Sequence, residues 1–189
     1  EVTDETIDVY YQDNGPKGVR WNGDMEGRKG STEEGGTRSP LLIKWPNGIK
    51  AGIKVMSITS VRDLLPTLTE LEGVDGKSKK SIDGKSLKTL LSGNTKGWKS
   101  RTLVSTWKGK LGVRDQRFRL GYKGKLFDME NDPGQRVDVS KQFPKVTERL
   151  NQRKQSFQKK VLEQAGPDTR PFVIGHPAVS WTQIPARDG

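Results

Sequence analysis

Between residues 13 and 40 glycine recurs at positions 15, 18, 23, 27, 30, 35 and 36, and the stretch is bounded by two apolar runs, Ile7-Asp8-Val9-Tyr10-Tyr11 and Leu41-Leu42-Ile43-Lys44-Trp45. Glycine loses more conformational freedom on folding than any other residue. A glycine-rich loop this long inside a compact domain is therefore expected to be functional or disordered. The flanking runs predict strands over 6–12 and 41–45, the second ended by the turn signal Pro46-Asn47-Gly48. In the first, Ile7 and Val9 point to one face and Tyr10 to the other, as at the edge of a buried sheet. Whatever the chain folds into is expected to carry a strand, a long glycine-rich loop and a second strand.

The remaining 145 or so positions split into two patterns. Val61, Leu64, Leu65, Leu68 and Leu71 recur at helical spacing over 60–72, with Ser60 as a candidate N-cap, Asp63 three residues later, and Gly73 as the stop. Pro66 is tolerable there only in the first turn or at a kink. A short extended piece is expected over 55–60, an exposed loop over 73–85, and a short helix over 86–91. From 101 onward, runs at 102–107, 111–114, 118–122 and 125–128 are punctuated by Gly109, Gly112, Gly121 and Gly124. They predict a small antiparallel meander, closed by the turn Asn131-Asp132-Pro133-Gly134. A last helix is expected from Pro144, which suits the first helical position, to about Ala165 before Gly166-Pro167. Its stripe Val146, Leu150, Phe157 and Val161 would lie on the meander, with Arg149, Arg153, Lys154, Lys159 and Lys160 on a solvated back. Residues 167–189 show little periodicity.

Composition limits the partners. Of 189 residues, 30% are hydrophobic and 30% charged, the net charge is +11, and mean hydropathy is −0.80. The core will be modest, and an anionic partner is favoured over a neutral one. Nucleic acid, sulfated polysaccharide and anionic lipid all qualify, as does a plain self-repelling surface. No nucleic-acid recognition motif is present, and aromatic residues are not interleaved with basic ones in a single stripe. The absence of cysteine excludes disulfides, thiolate metal sites and a cysteine nucleophile within these residues. No stretch approaches the roughly 20 apolar residues of a membrane span, and no signal peptide is visible. Both ends look like cuts through a longer protein.

Two segments bear chemistry. Gln12-Asp13-Asn14-Gly15-Pro16 delivers a carboxylate and an amide to a sharp bend, where both oxygens could grip a hard cation such as calcium. Taken alone, Asp-Asn-Gly is an ordinary turn signal. In the second segment, Lys29 sits on a glycine-rich loop, where an ammonium can meet sulfate or phosphate as a point charge. Gly35-Gly36 permits tight turns or close approach of another group. Walker-type and dinucleotide glycine spacings do not fit.

Taken together and in order, these segments resemble the sulfatase family. A strand is followed by Asp13-Asn14-Gly15-Pro16, then by Lys29-Gly30-Ser31-Thr32-Glu33-Glu34-Gly35-Gly36-Thr37-Arg38-Ser39-Pro40, then by an apolar strand ending in Trp45-Pro46. Ser60 to Leu68 looks like the family's DLLPT helix and Asp83-Gly84-Lys85-Ser86-Leu87 like its DGxSL segment. Gly112-Val113-Arg114-Asp115 and Leu126 to Pro133 look like its GVR and LYDLxxDP strands. The similarity covers roughly residues 6–165.

The resemblance implies an α/β fold, α+β in this portion: the final strands of the sulfatase central sheet plus a small antiparallel four-stranded sheet packed by a C-terminal helix. It divides the chain into 1–100, the end of the catalytic domain; 101–166, the small subdomain; and 167–189, a connector. It implies sulfate-ester hydrolysis by a formylglycine made from a C/S-x-P-x-R motif, with calcium polarising the sulfate oxygens. By match, Asp13 and Asn14 would be calcium ligands and Lys29 the catalytic lysine on a sulfate oxygen. Gly15, Glu34, Gly35 and Gly36 would shape the loop. No Ser-x-Pro-x-Arg or Cys-x-Pro-x-Arg occurs in the chain, the acidic ligand pair and catalytic histidines are absent, and the only histidine, His176, matches no family position. A C-terminal part of a sulfatase, inactive alone, is therefore expected. Its partners would be sulfated carbohydrate and the missing N-terminal part, in the periplasm or outside the cell. A non-catalytic polyanion-binding module is the alternative, followed by a related phosphatase or phosphonate hydrolase. Arg20, Trp21, Trp98 and Trp107 could flank a sugar, although tryptophans more often pack.

Overall fold

The computed structural model describes residues 4–74, 81–163, 178 and 180. The chain divides into two compact units, Glu1–Ser156 and Phe157–Gly189. In the second, a π-helical segment occupies Gln158–Glu163. His176 and most of the expected connector lie outside the described residues.

The first unit begins with β1 (Asp8–Tyr11), which pairs antiparallel with β2 (Leu41–Lys44), Val9 opposite Ile43 and Tyr10 opposite Leu42. One face of this ribbon is open to solvent, with Tyr10 53% and Leu42 63% exposed, and on the other Val9 and Ile43 are half-buried. The loop between the strands contains one helical turn, α1 (Glu34–Thr37), that periodicity did not predict because it is only four residues long and half glycine.

Residues 55–60 are irregular rather than a strand. A 3-10 turn, Val61–Asp63, leads into α2 (Leu64–Leu71), which places Pro66 in the first turn where its missing N–H leaves no helical bond unmade. The apolar stripe expected here is only half used. Val61 and Leu65 are exposed, while the buried positions are polar, Asp63 and Thr67, both at 0%. They are buried because they bond. Asp63 Oδ2 accepts from the Ser60 N–H at 2.8 Å and from Arg101 Nη1 at 2.7 Å, and Oδ1 accepts from the Lys85 N–H at 2.9 Å. The Thr67 hydroxyl donates to the Asp63 carbonyl at 2.5 Å and accepts from the Leu87 N–H at 2.8 Å. These bonds fasten the segment before α3 (Lys88–Leu91) onto α2, and Leu87 and Leu90 fill the space beneath. A Cβ at Gly84 would lie 1.9 Å from the Arg62 carbonyl oxygen, so only glycine passes there.

The meander forms as expected. β3 (Leu103–Trp107), β4 (Lys110–Arg114), β5 (Phe118–Leu120) and β6 (Leu126–Asp128) pair antiparallel in sequence order. The β3–β4 hairpin closes on two residues, Lys108 and Gly109, with φ of +45° and +77°. Two positive φ values are those of a type I′ turn, whose twist matches the strands. Val113, Phe118, Leu120, Leu126 and Val139 form one buried cluster with Leu150 of α4 (Pro144–Phe157), and Val104, Phe143 and Val146 pack against it. Phe118 and Phe143 stack tilted at 4.9 Å. Of the helix stripe, Val146 and Leu150 join this core; the α-helix turns π-helical after Phe157, and Val161 is 45% exposed.

Candidate active site

Successive side chains of a strand alternate between faces, and directly paired residues share one. The register Trp107↔Lys110, Ser105↔Gly112, Leu103↔Arg114 and Arg114↔Arg119 therefore sets Trp107, Lys110, Gly112, Arg114 and Arg119 on one face of the meander, opposite the face that carries the core. The Lys29–Thr37 loop lies on that face. A Cβ at Gly30 would lie 3.5 Å from the Trp107 indole nitrogen, and one at Gly112 only 3.0 Å from the Thr32 carbonyl oxygen.

The loop is pinned by Glu34. Its carboxylate, buried to 5% exposure, accepts from Arg119 Nη2 at 2.8 Å, Arg119 Nε at 3.1 Å and Arg114 Nε at 3.2 Å, while Arg119 also donates to the Thr32 carbonyl and, at 3.1 Å, to the Thr37 hydroxyl. Burial alone would raise the Glu34 pKa; the Arg119 and Arg114 guanidiniums outweigh it and hold the pKa below its ordinary value. Burial lowers the Arg114 pKa, and Glu34 works against that. Gln135 completes the clamp. Its Oε1 accepts from the Glu34 N–H at 2.9 Å and its Nε2 donates to Glu33 Oε2 at 2.6 Å, from a backbone at φ +54°. A non-glycine residue at positive φ is costly unless its surroundings fix it, and these two bonds do so. Sequence reasoning assigned Glu34 to loop shaping but missed Arg119 and Gln135, whose only signal was a charged or polar residue inside the buried strand and turn.

The two chemistry-bearing segments are joined by backbone. The Gly15 N–H donates to the Gly36 carbonyl at 3.0 Å, and the Lys29 N–H to the Pro16 carbonyl at 3.0 Å. The Gly35 N–H donates to the Glu26 carbonyl at 2.7 Å. The three loop glycines are packed backbone to backbone. A Cβ at Gly15 would meet the Gly35 carbonyl oxygen at 1.7 Å, one at Gly35 the Gly27 carbonyl oxygen at 2.5 Å, and one at Gly36 the Arg28 carbonyl oxygen at 2.6 Å. Asp13, Asn14 and Lys29 consequently line one broad concavity of about 2070 Å³, together with Thr32 and Trp107. Asp13 and Lys29 are exposed and Asn14 is half-buried. The Thr32 hydroxyl is buried and has no hydrogen-bond partner among the described residues. Trp21, 88% exposed, does not line this concavity, and neither do Arg20 and Trp98.

Asp13 and Asn14 offer two hard oxygen donors, the chemistry that calcium takes, but the ion accepts about six to eight. Among the described residues no group of three or more His, Cys, Asp or Glu side chains could hold a metal ion. The pair fits part of a calcium site. Also among the described residues, no helix is long and apolar enough to cross a membrane.

Comparison with known proteins gives a consistent picture. The family model for N-sulphoglucosamine sulphohydrolase, C-terminal, matches residues 29–160, more than half of the chain. Steryl-sulfatase of Mus musculus is 37% identical over 89 residues, covering 46% of this chain and 14% of that protein. The crystal structure of Ps i-CgsB in complex with k-i-k-neocarrahexaose superposes with a TM-score of 0.70 at 28% identity, over 82% of this chain and 36% of that one. A protein solved with its substrate D-glucosamine-2-N,6-O-disulfate superposes with a TM-score of 0.50 at 27% identity, over 73% and 31% of the two chains. The chain thus spans between about a seventh and a third of the length of these proteins. With a helix-packed meander, a pinned lysine loop and this match over residues 29–160, the chain belongs to the family of sulfatase C-terminal domains described by N-sulphoglucosamine sulphohydrolase.

Proposed function

We propose that this chain supplies the lysine and part of the cation site of a calcium-dependent sulfatase that hydrolyses sulfate esters of carbohydrate. The observation that carries this is the backbone stitching of the Asp13-Asn14 bend to the Lys29 loop through Gly15–Gly36 and Pro16–Lys29, which puts a hard-oxygen pair and an ammonium on one concavity. The carbohydrate substrate class is supported by two relatives above 25% identity, one solved with k-i-k-neocarrahexaose and one with D-glucosamine-2-N,6-O-disulfate.

In the proposed reaction the Lys29 ammonium meets a non-bridging sulfate oxygen and stabilises the negative charge that shifts during displacement at sulfur. A preorganised cation of this kind acts without reorganising solvent at the moment of reaction. Asp13 and Asn14 would hold calcium, which when bound supplies electrostatic polarisation of the sulfate oxygens. The Glu34 clamp and the glycine stack keep the lysine loop in place, so that its position is set before substrate arrives. The 189 residues contain no C/S-x-P-x-R motif, so this chain alone is expected not to turn over sulfate esters.

The test is hydrolysis of 4-methylumbelliferyl sulfate by a protein that carries this chain together with such a motif. Lys29→Ala should lower kcat by about 100-fold or more, the loss typical of removing one charge-stabilising donor. Asp13→Ala should raise the calcium concentration needed for half-maximal rate. Turnover that is unchanged in both variants refutes the proposal. A bound heparin oligosaccharide whose affinity ignores both substitutions would favour the polyanion-binding alternative, which the +11 charge motivates.

A further inference from the structure

Beside the lysine loop, the tip of the β3–β4 hairpin carries an exposed aromatic–cation surface that the chemistry above does not use. Trp107 is 51% exposed although it abuts Gly30, the residue after Lys29. Gly30 has φ +84°, a conformation in which any larger residue would be strained, so the indole can sit against the loop without a side chain between them. The two-residue turn sets Lys110 directly opposite Trp107 on the same face. Lys110 Nζ lies 5.0 Å from the Tyr122 ring centroid, and Lys123 Nζ 5.6 Å from the same ring. Lys154 Nζ donates to the Tyr122 carbonyl at 2.9 Å. Among the described residues none of Lys108, Lys110, Lys123 and Lys154 forms an ion pair with a carboxylate. Lys108 itself holds a positive φ of 45°, which a lysine adopts only at a cost.

We propose that Trp107, Lys110, Tyr122 and Lys123 form a binding lip for the sugar rings that flank the cleaved sulfate ester in a sulfated polysaccharide. This rests on the sulfate-ester function proposed above and extends it from a single sulfated sugar to a polymer. The indole offers a flat, rigid, largely apolar platform with a polar edge, matching the alternating apolar and hydroxylated surface of a pyranose ring. The unpaired ammoniums are compact point charges suited to sulfates on neighbouring rings. Trp107 abuts Gly30, next to Lys29, and lines the same concavity, whereas Lys110, Tyr122 and Lys123 lie outside that lining, so the lip runs outward from the reacting group. A small aryl sulfate would fill the Lys29 end and leave the lip empty.

The experiment is calorimetric binding of a heparin hexasaccharide and, separately, of inorganic sulfate to the 189-residue chain. Trp107→Ala should weaken hexasaccharide binding by about tenfold, with Trp107→Phe retaining most of it, because the aromatic platform is what binds. Inorganic sulfate affinity should not change in either. Lys110→Ala should weaken hexasaccharide binding several-fold more than Lys145→Ala, which removes the same charge from the exposed surface of α4. Wild-type hexasaccharide affinity in Trp107→Ala, or equal losses for Lys110 and Lys145, overturns the lip. A Lys29→Ala chain separates the two proposals. If it loses sulfate affinity while Trp107→Ala changes nothing, only the lip is wrong. If it binds sulfate and hexasaccharide like wild type, the sulfate site falls and the lip falls with it.

Discussion

Glu34 and Asp128 are both carboxylates held by arginine, yet they do different work. Glu34 bonds two guanidiniums that come from positions 80 and 85 residues later, so its charge ties the lysine loop to the meander. Asp128 is held locally: Arg117 donates to it at 2.7 Å from Nη2, Asn131 Nδ2 at 2.9 Å, and the Glu130 N–H at 3.2 Å. The Arg117 hydrogen bonds are the main cause of an Asp128 pKa lowered from 3.8 to about 2. A carboxyl whose pKa is lower folded than unfolded stabilises the fold above its unfolded value and loses that contribution as pH falls through its folded value. The Asp128 contribution is therefore complete above about pH 4 and gone near pH 2. Asp128→Asn should lower the urea midpoint at pH 6, and the gap from wild type should close between pH 4 and pH 2. A gap that stays constant over that range would show that the arginine bonds do not depress this pKa. The sequence pointed to Glu34 as a loop residue but could not name its partners, because an ion pair across 80 residues leaves no local pattern.

At the level of elements, the lysine loop is shaped by absence of side chains. Gly15 and Gly18 lie three residues apart in the same loop, and composition alone does not separate them; only the family resemblance singles out Gly15. The structure does: a Cβ at Gly15 would meet the Gly35 carbonyl oxygen at 1.7 Å, whereas one at Gly18 has nothing within 4 Å. Gly15→Ala should destabilise by about 3 kcal/mol, the upper part of the range for forced overpacking. Gly18→Ala, not at positive φ, should be neutral or stabilise by up to about 1 kcal/mol through a less flexible unfolded chain. Urea unfolding of both variants checks this, and equal midpoints would mean that the loop backbone is not packed against residue 35. The meander was legible because its strands are short apolar runs punctuated by glycine, a local signal. The helix over 60–72 was legible as an element but not in its orientation: leucines at helical spacing marked a buried stripe, while the buried positions are Asp63 and Thr67. Hydrogen-bonding to Arg101, Lys85 and Leu87 drew those two inward, and no periodicity records such partners.

At the level of the first unit, the apolar core belongs to the meander and α4, while the segments before residue 100 hold to it through charge. Among the described residues two buried ion-pair connections cross that point: Glu34 with Arg114 and Arg119, and Asp63 with Arg101, whose side chains are 0% and 7% exposed. The second is the tie for α2 and α3, since Asp63 also anchors the Ser60 and Lys85 amides. Removing one partner of a buried pair leaves an uncompensated charge at a cost of about 3–5 kcal/mol. Arg101→Ala should impose that cost unevenly. Asp63 loses its counter-charge, so the bonds it organises weaken, whereas Val113, Leu120, Leu126 and Leu150 keep every contact in their cluster. Native-state hydrogen exchange should then show the amides of Leu64–Leu71 and Lys88–Leu91 losing protection while those of the meander retain theirs. Arg101→Lys should recover part of the protection, since a charge remains but without the planar fork that reaches the carboxylate. If Arg101→Ala lowers protection equally in both regions, the unit opens as one body, and the ion pair is a stabiliser of the whole rather than a tie for its helical part.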